Sequence, residues 1–538
     1  MKTVFYLSDY HPFADGLRDD SAAFRACFRD AAAAGHAQVV IEPGSYLLEH
    51  TQPILLSSHL TVTAKGAELW FPRNLGEQVH RVLFAGENLT DFNWEGGCFR
   101  GYVYRPDRED NPWPPHACTR AIVLTRTKDG ASRNLRFERI HGSEVAGSVL
   151  AVLGTVEDGQ RFPAENVDVR DCCLEDCGKF MWDYGFLWQR LTFAEQYTRQ
   201  EVLEAERHMP LQWTAGPLSL GREELLCLDP ASPFMEGVED VSLFGRQDSV
   251  CGRVLYAHPA PDGRHFCLRE GRNPAAPAVD PRRAMGLRMF RGLHRCFQVL
   301  YAPVGAGPGK GGLDLSVCDH VTVSGCRLQA VGDTMHIYHS YDVCFSGNQI
   351  TGSRMGAFFI AEYCRNVTVT GNTVDGTNGS RVMSVERSAT DVTIVGNTFR
   401  GGGRGSWINQ PTNLILSDNL FLCNTNKATP DLRVGRVTPI TGDFERYPEI
   451  YFTTWQPGAS YGPVILRSNI IQTGPRCTAA VAFNAGGRDL VMESNVLLGE
   501  NRRIFVDPNC EMPHMSGNVG MELVLHQLRQ DNFDQRKL

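Results

Sequence analysis

VTVSGC (321–326), VCFSGN (343–348), VTVTGN (367–372), VTIVGN (392–397) and LILSDN (414–419) are one motif written five times. The fifth residues, Gly325, Gly347, Gly371, Gly396 and Asp418, follow one another at 22, 24, 25 and 22 residues. VILRSN (464–469) and LVMESN (490–495) continue the series after a gap, and VDVRDC (167–172) precedes it. Each copy alternates β-branched or aliphatic residues and then bends at a residue type that tolerates a left-handed backbone. A period this short, with no 3.6-residue pattern inside it, suits one turn of a stacked β-solenoid and not a helical repeat. Successive turns then lie about 4.8 Å apart. Asn348, Asn372, Asn397 and Asn419 are expected to form a ladder at a bend, their amides satisfying backbone groups of neighbouring turns.

Length alone, 538 residues, suggests three or four domains at roughly 150 residues each. The repeat replaces that with one interrupted solenoid. Working outward, DGLRDDSAAFRACFRDAAAAGHAQVVIEPGSYLL (15–48) reads as a turn, a helix with Ala23, Phe24, Cys27, Phe28 and Ala31 on one face, and a strand. An amphipathic helix there covers the open end of the solenoid. Residues 185–305 break the repeat. They carry a capping box at Thr198 and Glu201 and strand-like VCGRVLYA and HFCLRE. The expected fold is all-β: a right-handed parallel β-helix with an N-terminal capping helix and an inserted helix-plus-β subdomain. Its parts are the cap and first turns (1–184), the insert (185–305), the main β-helix (306–520) with an excursion at 424–462, and a tail (521–538).

The net charge of −8 implies no basic surface, so nucleic acid is not an expected partner. No apolar run reaches the roughly 18 residues of a membrane span, and the first twenty residues lack a leader-like apolar segment. The 17 cysteines are expected as reduced thiols, which places the protein in the cytoplasm. A homo-oligomer is compatible with all of this.

The entry segment resembles that of the pectin-lyase-like right-handed parallel β-helix superfamily of carbohydrate-active enzymes. The resemblance rests on Asp15-Gly16, Asp19-Asp20-Ser21, Ala23-Phe24 and Pro43-Gly44-Ser45-Tyr46, and with the repeats it covers roughly residues 13–175 and 305–520. It implies a carbohydrate partner. Polygalacturonase-type glycosidases are similar over 311–340, where their three acids fall on Gly311 and Gly332-Asp333, with Arg381 at the basic position. Only Asp333 is an acid here, which argues against polygalacturonase activity itself. The β-helix α-galactosidases are similar in layout, but GKFMWDYG (178–185) offers Asp183 where they carry an acid pair.

Aligning the turns on the motif puts Trp182, Asp314, His336, Phe359, Met383 and Trp407 on one outward ladder, and Tyr184, Ser316, Tyr338, Ala361, Val385 and Asn409 two residues along. Aromatic rings in such a row suit the C–H faces of sugars. The alternative is that the inserts pack on it. Glu362 and Glu386 are expected at equivalent positions of successive turns, where mutual repulsion suits a general acid beside an ionised base. Asp314 is expected to orient His336 from the turn before. Candidate catalytic residues are therefore Asp333, Asp314, Glu362 and Glu386. Candidate substrate-binding residues are His336, Tyr338, His339, Trp182, Asp183, Tyr184, Trp407, Arg381, Arg404 and Lys179. His336 and His339 point to opposite faces of a strand, so no metal site and no cofactor are expected. GAGPGKGG (305–312) lacks the Ser/Thr and helix of a phosphate loop and reads as a flexible return from the insert.

These features fit three functions. The first is an exo-acting glycoside hydrolase using two groove carboxylates. The second is a lyase or epimerase on uronic acids, with Lys179, Arg381 or Arg404 holding the carboxylate. The third is a non-catalytic glycan-binding β-helix.

Overall fold

The computed structural model describes residues 2–76, 80–103, 110–113, 117–178, 310–353, 356–376, 381–403, 405–426, 447–454, 458–484 and 486–525, and the backbone of five strands between 187 and 303. At 310, 333 and 523–525 the backbone alone is described.

Three long sheets of 14, 13 and 13 strands, here A, B and C, run the length of the chain, and their neighbouring strands pair in parallel. Each turn passes through C, A and B in that order, as at Asp333–Tyr338, Tyr341–Ser346 and Gln349–Thr351. The fold is a right-handed parallel β-helix. The motif valines stack in register on sheet A, Val321 on Val343, Val367, Val392 and Leu414, and point into the core.

From the strand Thr90–Glu95 onward the residue after each sheet A strand is left-handed, with φ of 63° at Gly347, 62° at Gly371 and 56° at Asp418. The asparagine that follows is buried and forms the expected ladder. Oδ1 of Asn372, Asn397 and Asn419 each accepts the backbone N–H and the Nδ2 of the asparagine one turn earlier, at 2.9 to 3.0 Å. The column continues through Asn469 and Asn495 to Asn518. At its start, buried Cys172 and Cys326 take the place of asparagine.

The helix spans Ser21–Ala34 and stops at Gly35, whose φ is 74°. Its buried face is Ser21, Ala23, Phe24, Cys27, Phe28 and Ala31. Phe24 meets Tyr46 edge-on at 5.4 Å, which joins the helix to the core. Among the described residues no helix is long and apolar enough to cross a membrane, and the cysteines are free thiols, many of them buried.

In the insert, Leu187–Thr192, Cys296–Pro303 and Met285–Arg291 form an antiparallel sheet, and Leu255–Pro259 pairs with Phe266–Glu270. The helix expected after Thr198 lies outside the described residues. GKGG is not a loose return. Lys310–Ser316 is a strand of sheet C, and a Cβ on Gly311 would lie 2.5 Å from the Cys177 carbonyl oxygen. Glycine is required by that close approach.

A second, shorter ladder ends on Glu449, which is fully buried. Asn424 donates to its carboxylate from the backbone N at 3.0 Å and from Nδ2 at 2.5 Å. Burial nonetheless pushes its pKa from 4.5 to about 8. A carboxyl raised in the folded state supports stability fully below the unfolded value and loses that support as pH rises through the folded one. Glu449→Gln is therefore expected to stabilise the protein by on the order of 3 kcal/mol near pH 7 and to change little at pH 4. Thermal melts of both proteins across pH 4–9 check this: their difference should open between these limits, and a constant difference would refute it.

Candidate functional site

On the strands of sheet C around the candidate residues, core-facing positions carry Met335, Phe358 and Met383, with Ile337, Ile360, Val385 and Ile408 two residues along. Side chains alternate across a strand, so the residues between them face outward. That outward row reads Asp314, His336, Phe359, Ser384, Trp407, Tyr451, Ala482 and Phe505.

The expected ladder is corrected at one turn. Ser384, not Met383, stands between Phe359 and Trp407, and Val385 lies inside. The corner from sheet C to sheet A holds one residue more after Phe359 and Ser384 than after His336 and Trp407. It lies before the left-handed corner residue, Tyr363 in one turn and Ser388 in the other. Spacing between motif copies cannot reveal where in a turn an extra residue sits.

A second register shift separates the two glutamates: the turn from sheet B into sheet C is one residue longer before Ser384 than before Phe359. The backbone N–H of Glu386 bonds the Ile360 carbonyl, which makes Glu386 the counterpart of Ala361. Glu362 is level with Arg387. They are not a stacked pair, and each carboxylate faces a cation: Arg387 pairs with Glu362, and Arg381 Nη1 lies 3.6 Å from Glu386 Oε1. The repulsion expected to raise one of them is replaced by attraction.

Two units stand out on this face. In the first, His336 and Asp314 are neighbours in the expected order, with His336 Nδ1 3.5 Å from Oδ1 of Asp314, a charge contact and not the expected hydrogen bond. Asp314 is 3 % exposed and also accepts the Ser316 hydroxyl at 3.1 Å. The His336 ring stacks on Phe359 at 6.2 Å between centroids. The second unit is Arg381, Glu386 and Trp407. The Arg381 guanidinium lies 4.6 Å over the indole, whose edge meets Tyr451 at 5.1 Å. Trp407 is only 7 % exposed and packs with Tyr451 and Ala482 in a small apolar cluster apart from the main core. It supports Arg381 and presents no open face to a sugar. Phe359, His336, Tyr338 and, at the far end, Phe505 are the partly exposed rings of the row and its neighbour.

Between the units, Ser384 Oγ and Asn409 Oδ1 are buried on this face with no hydrogen-bond partner among the described residues. Neither was singled out as a site residue from sequence. The available signal was a small polar residue inside an aliphatic strand, as in VMSV (382–385).

Lys179, Trp182, Asp183, Tyr184 and Arg404 lie outside the described residues. Asp333 begins its strand, in register with Lys310. His339 is drawn away from the row to the left-handed corner, with φ of 47°. Among the described residues no three His, Cys, Asp or Glu side chains are placed to hold a metal.

A family model described as a right handed beta helix region matches residues 306–429. No protein of curated function matches the chain by sequence. Among solved structures the chain is similar to the A-module of the mannuronan C-5 epimerase AlgE6 of Azotobacter vinelandii, at 11 % identity and a TM-score of 0.48, covering 97 % of this chain and 100 % of that one. It is also similar to PfbA, a surface adhesin of Streptococcus pneumoniae, at 12 % identity and a TM-score of 0.44, covering 97 % and 92 %. A hyperthermoactive exopolygalacturonase from Thermotoga maritima matches at 11 % identity and a TM-score of 0.37, covering 99 % and 93 %. These likenesses concern the fold alone.

Proposed function

We propose that this right-handed parallel β-helix is a glycoside hydrolase that binds its glycan along the outward face of sheet C and cleaves it with inversion. One observation carries the reading: an imidazole beside a buried carboxylate, Asp314–His336, and a glutamate beside an arginine, Glu386–Arg381, on the same face. Glu386 lies two strands from His336 and two residues further along, which puts their backbones about 12 Å apart, so the two side chains work together only by leaning toward each other. Acid and base of an inverting glycosidase stand roughly 6.5–9.5 Å apart, leaving room for the water between them.

The division of labour follows from the partners. A carboxylate beside an imidazole favours the imidazolium, so His336 gives its proton to the leaving oxygen while Asp314 offsets the charge. A guanidinium beside a carboxylate favours its ionised form, so Glu386 takes the proton from the attacking water. Oxygen of that water bonds the anomeric carbon as the glycosidic bond breaks. Phe359 and Tyr338, both partly exposed, offer ring surface to the sugar. Asp333, three residues before His336 on the same strand, is the alternative acid. Asp333→Ala with turnover intact removes it from the set.

A second reading has its own support. An imidazole oriented by a carboxylate also suits removal of a proton from the carbon next to a uronate carboxylate, with Arg381 stabilising the enolate. Thin-layer analysis of a panel of α- and β-linked oligosaccharides, with ultraviolet absorbance followed alongside, separates the two. The hydrolase reading requires saturated products from at least one member. Unsaturated products would establish the lyase instead.

A further inference from the structure

A recess of about 300 Å³ opens where the chain turns from sheet C into sheet A. It is lined by His339, Tyr341, Tyr363, Arg365, Ser388 and Thr390. Three successive turns build it. Tyr341, Arg365 and Thr390 are stacked neighbours at the start of sheet A. His339, Tyr363 and Ser388 hold the corner before them, all left-handed, with φ of 47°, 58° and 68°. The same left-handed corner recurs in the next turn at Gln410 and belongs to the solenoid.

A small antiparallel hairpin fixes the floor. Its strands, Thr155–Glu157 and Gln160–Phe162, leave the solenoid between sheets C and A. They carry Arg161 to a position 3.5 Å over the ring of Tyr341. Arg161 donates to the His339 carbonyl at 2.9 Å and pairs with Asp319. One face of Tyr341 is thereby occupied, and His339 is held 6.0 Å from Tyr341 and 5.5 Å from Tyr363 between ring centroids.

What is left open has a consistent chemistry. The Tyr363 ring is 44 % exposed, a flat surface for the C–H face of a sugar. Burial and the Arg161 charge hold the His339 pKa below the usual imidazole range, and a neutral ring can both donate to and accept from a sugar hydroxyl. Thr390 and Ser388 place two hydroxyls on the same recess, that of Ser388 already accepting from Gln410 Nε2 at 3.1 Å. Arg365 is exposed, and the Tyr341 ring 5.4 Å away is its side-chain neighbour, with no carboxylate partner among the described residues. An exposed guanidinium beside aromatic rings matches a carboxylate on a sugar, which it can hold with two parallel hydrogen bonds.

We propose that this corner is a second glycan site, distinct from the sheet C face. It takes one acidic sugar residue, with its ring against Tyr363 and its carboxylate on Arg365. The volume is at the lower end for small-molecule sites, which suits a single residue of a longer chain. The site does not depend on the hydrolase reading, because none of its lining residues belongs to the proposed acid and base units.

The test is calorimetric titration of the full chain with trigalacturonate, with maltotriose as the neutral control. Trigalacturonate is expected to bind, and maltotriose at least about tenfold more weakly. Arg365→Gln and Tyr363→Ala should each weaken trigalacturonate binding about tenfold or more. Both positions are at the surface, so the variants should fold. Glu386→Gln should bind trigalacturonate at the corner as the unaltered chain does, even with turnover abolished. Absence of trigalacturonate binding, equal binding of maltotriose, or unchanged affinity in both corner variants would overturn the proposal. Corner binding without hydrolysis of any oligosaccharide would support the site while defeating the hydrolase.

Discussion

Asn397→Ala is expected to cost on the order of 3–6 kcal/mol of stability. The side chain is 1 % exposed and works in two directions. Its Oδ1 accepts the backbone N–H and the Nδ2 of Asn372, both at 2.9 Å. Its Nδ2 donates to the Val369 carbonyl at 2.9 Å and to Asn419 Oδ1 at 3.0 Å. Alanine removes these four and the bond from Nδ2 to the Val395 carbonyl. It strands the backbone N–H of Asn372 in a dry interior, worth about 1–3 kcal/mol unsatisfied, and leaves Asn372 Nδ2 only the Phe345 and Thr370 carbonyls. Aspartate keeps the acceptor but buries a charge in place of the donor, and should be no better. Because turns of a solenoid contact only their neighbours, the loss should also divide the unfolding. Urea titration followed by circular dichroism should show a lower midpoint and a broadened or two-step transition. A shift below about 1 kcal/mol would mean that water or a local rearrangement replaces the amide.

Glu386→Gln is expected to lower kcat by about 10²–10⁴-fold, the usual range for removing a general base. Glutamine keeps the shape and a hydrogen-bonding oxygen toward Arg381 but cannot take a proton from water. Glu362→Gln is the matched control. Glu362 is engaged by Arg387 toward the corner, and its loss should change kcat by less than about tenfold. If the two variants lose activity equally, the assignment of the base to Glu386 is wrong.

Much of the solenoid was legible because its signal is repeated. Five copies of one hexapeptide set the turn height, and the Asn ladder follows from stacking identical amides at one bend. The capping helix was equally plain, its buried face matching the apolar positions between Ala23 and Ala31. The site was less so, for a reason in the geometry. The motif lies on sheet A, whereas the candidate site lies on sheet C, across a corner whose length varies by one residue. Asp314 and His336 were placed correctly because their two corners are equally long. Glu362 and Glu386 were not, because the turn from sheet B into sheet C is one residue longer before Ser384 than before Phe359, which sets Glu386 level with Ala361 and leaves two separate ion pairs. Trp407 looked like an open sugar platform because a ladder position says which way a ring points and not whether something lies on it. Arg381, from the start of its own strand, fills that place. The corner site was invisible in pattern: Arg161 reaches it across 178 residues of sequence to bond the carbonyl of His339.

The most direct measurement is the anomeric configuration of the first-formed product. Proton NMR on the best-cleaved oligosaccharide can follow it before mutarotation, with the unaltered chain and Glu386→Gln compared side by side. A product of opposite anomeric configuration to the substrate, formed at least about a hundredfold more slowly by Glu386→Gln, is the result expected from Asp314–His336 and Glu386 acting two strands apart. A product that retains the substrate's configuration, or an unsaturated sugar, would contradict it.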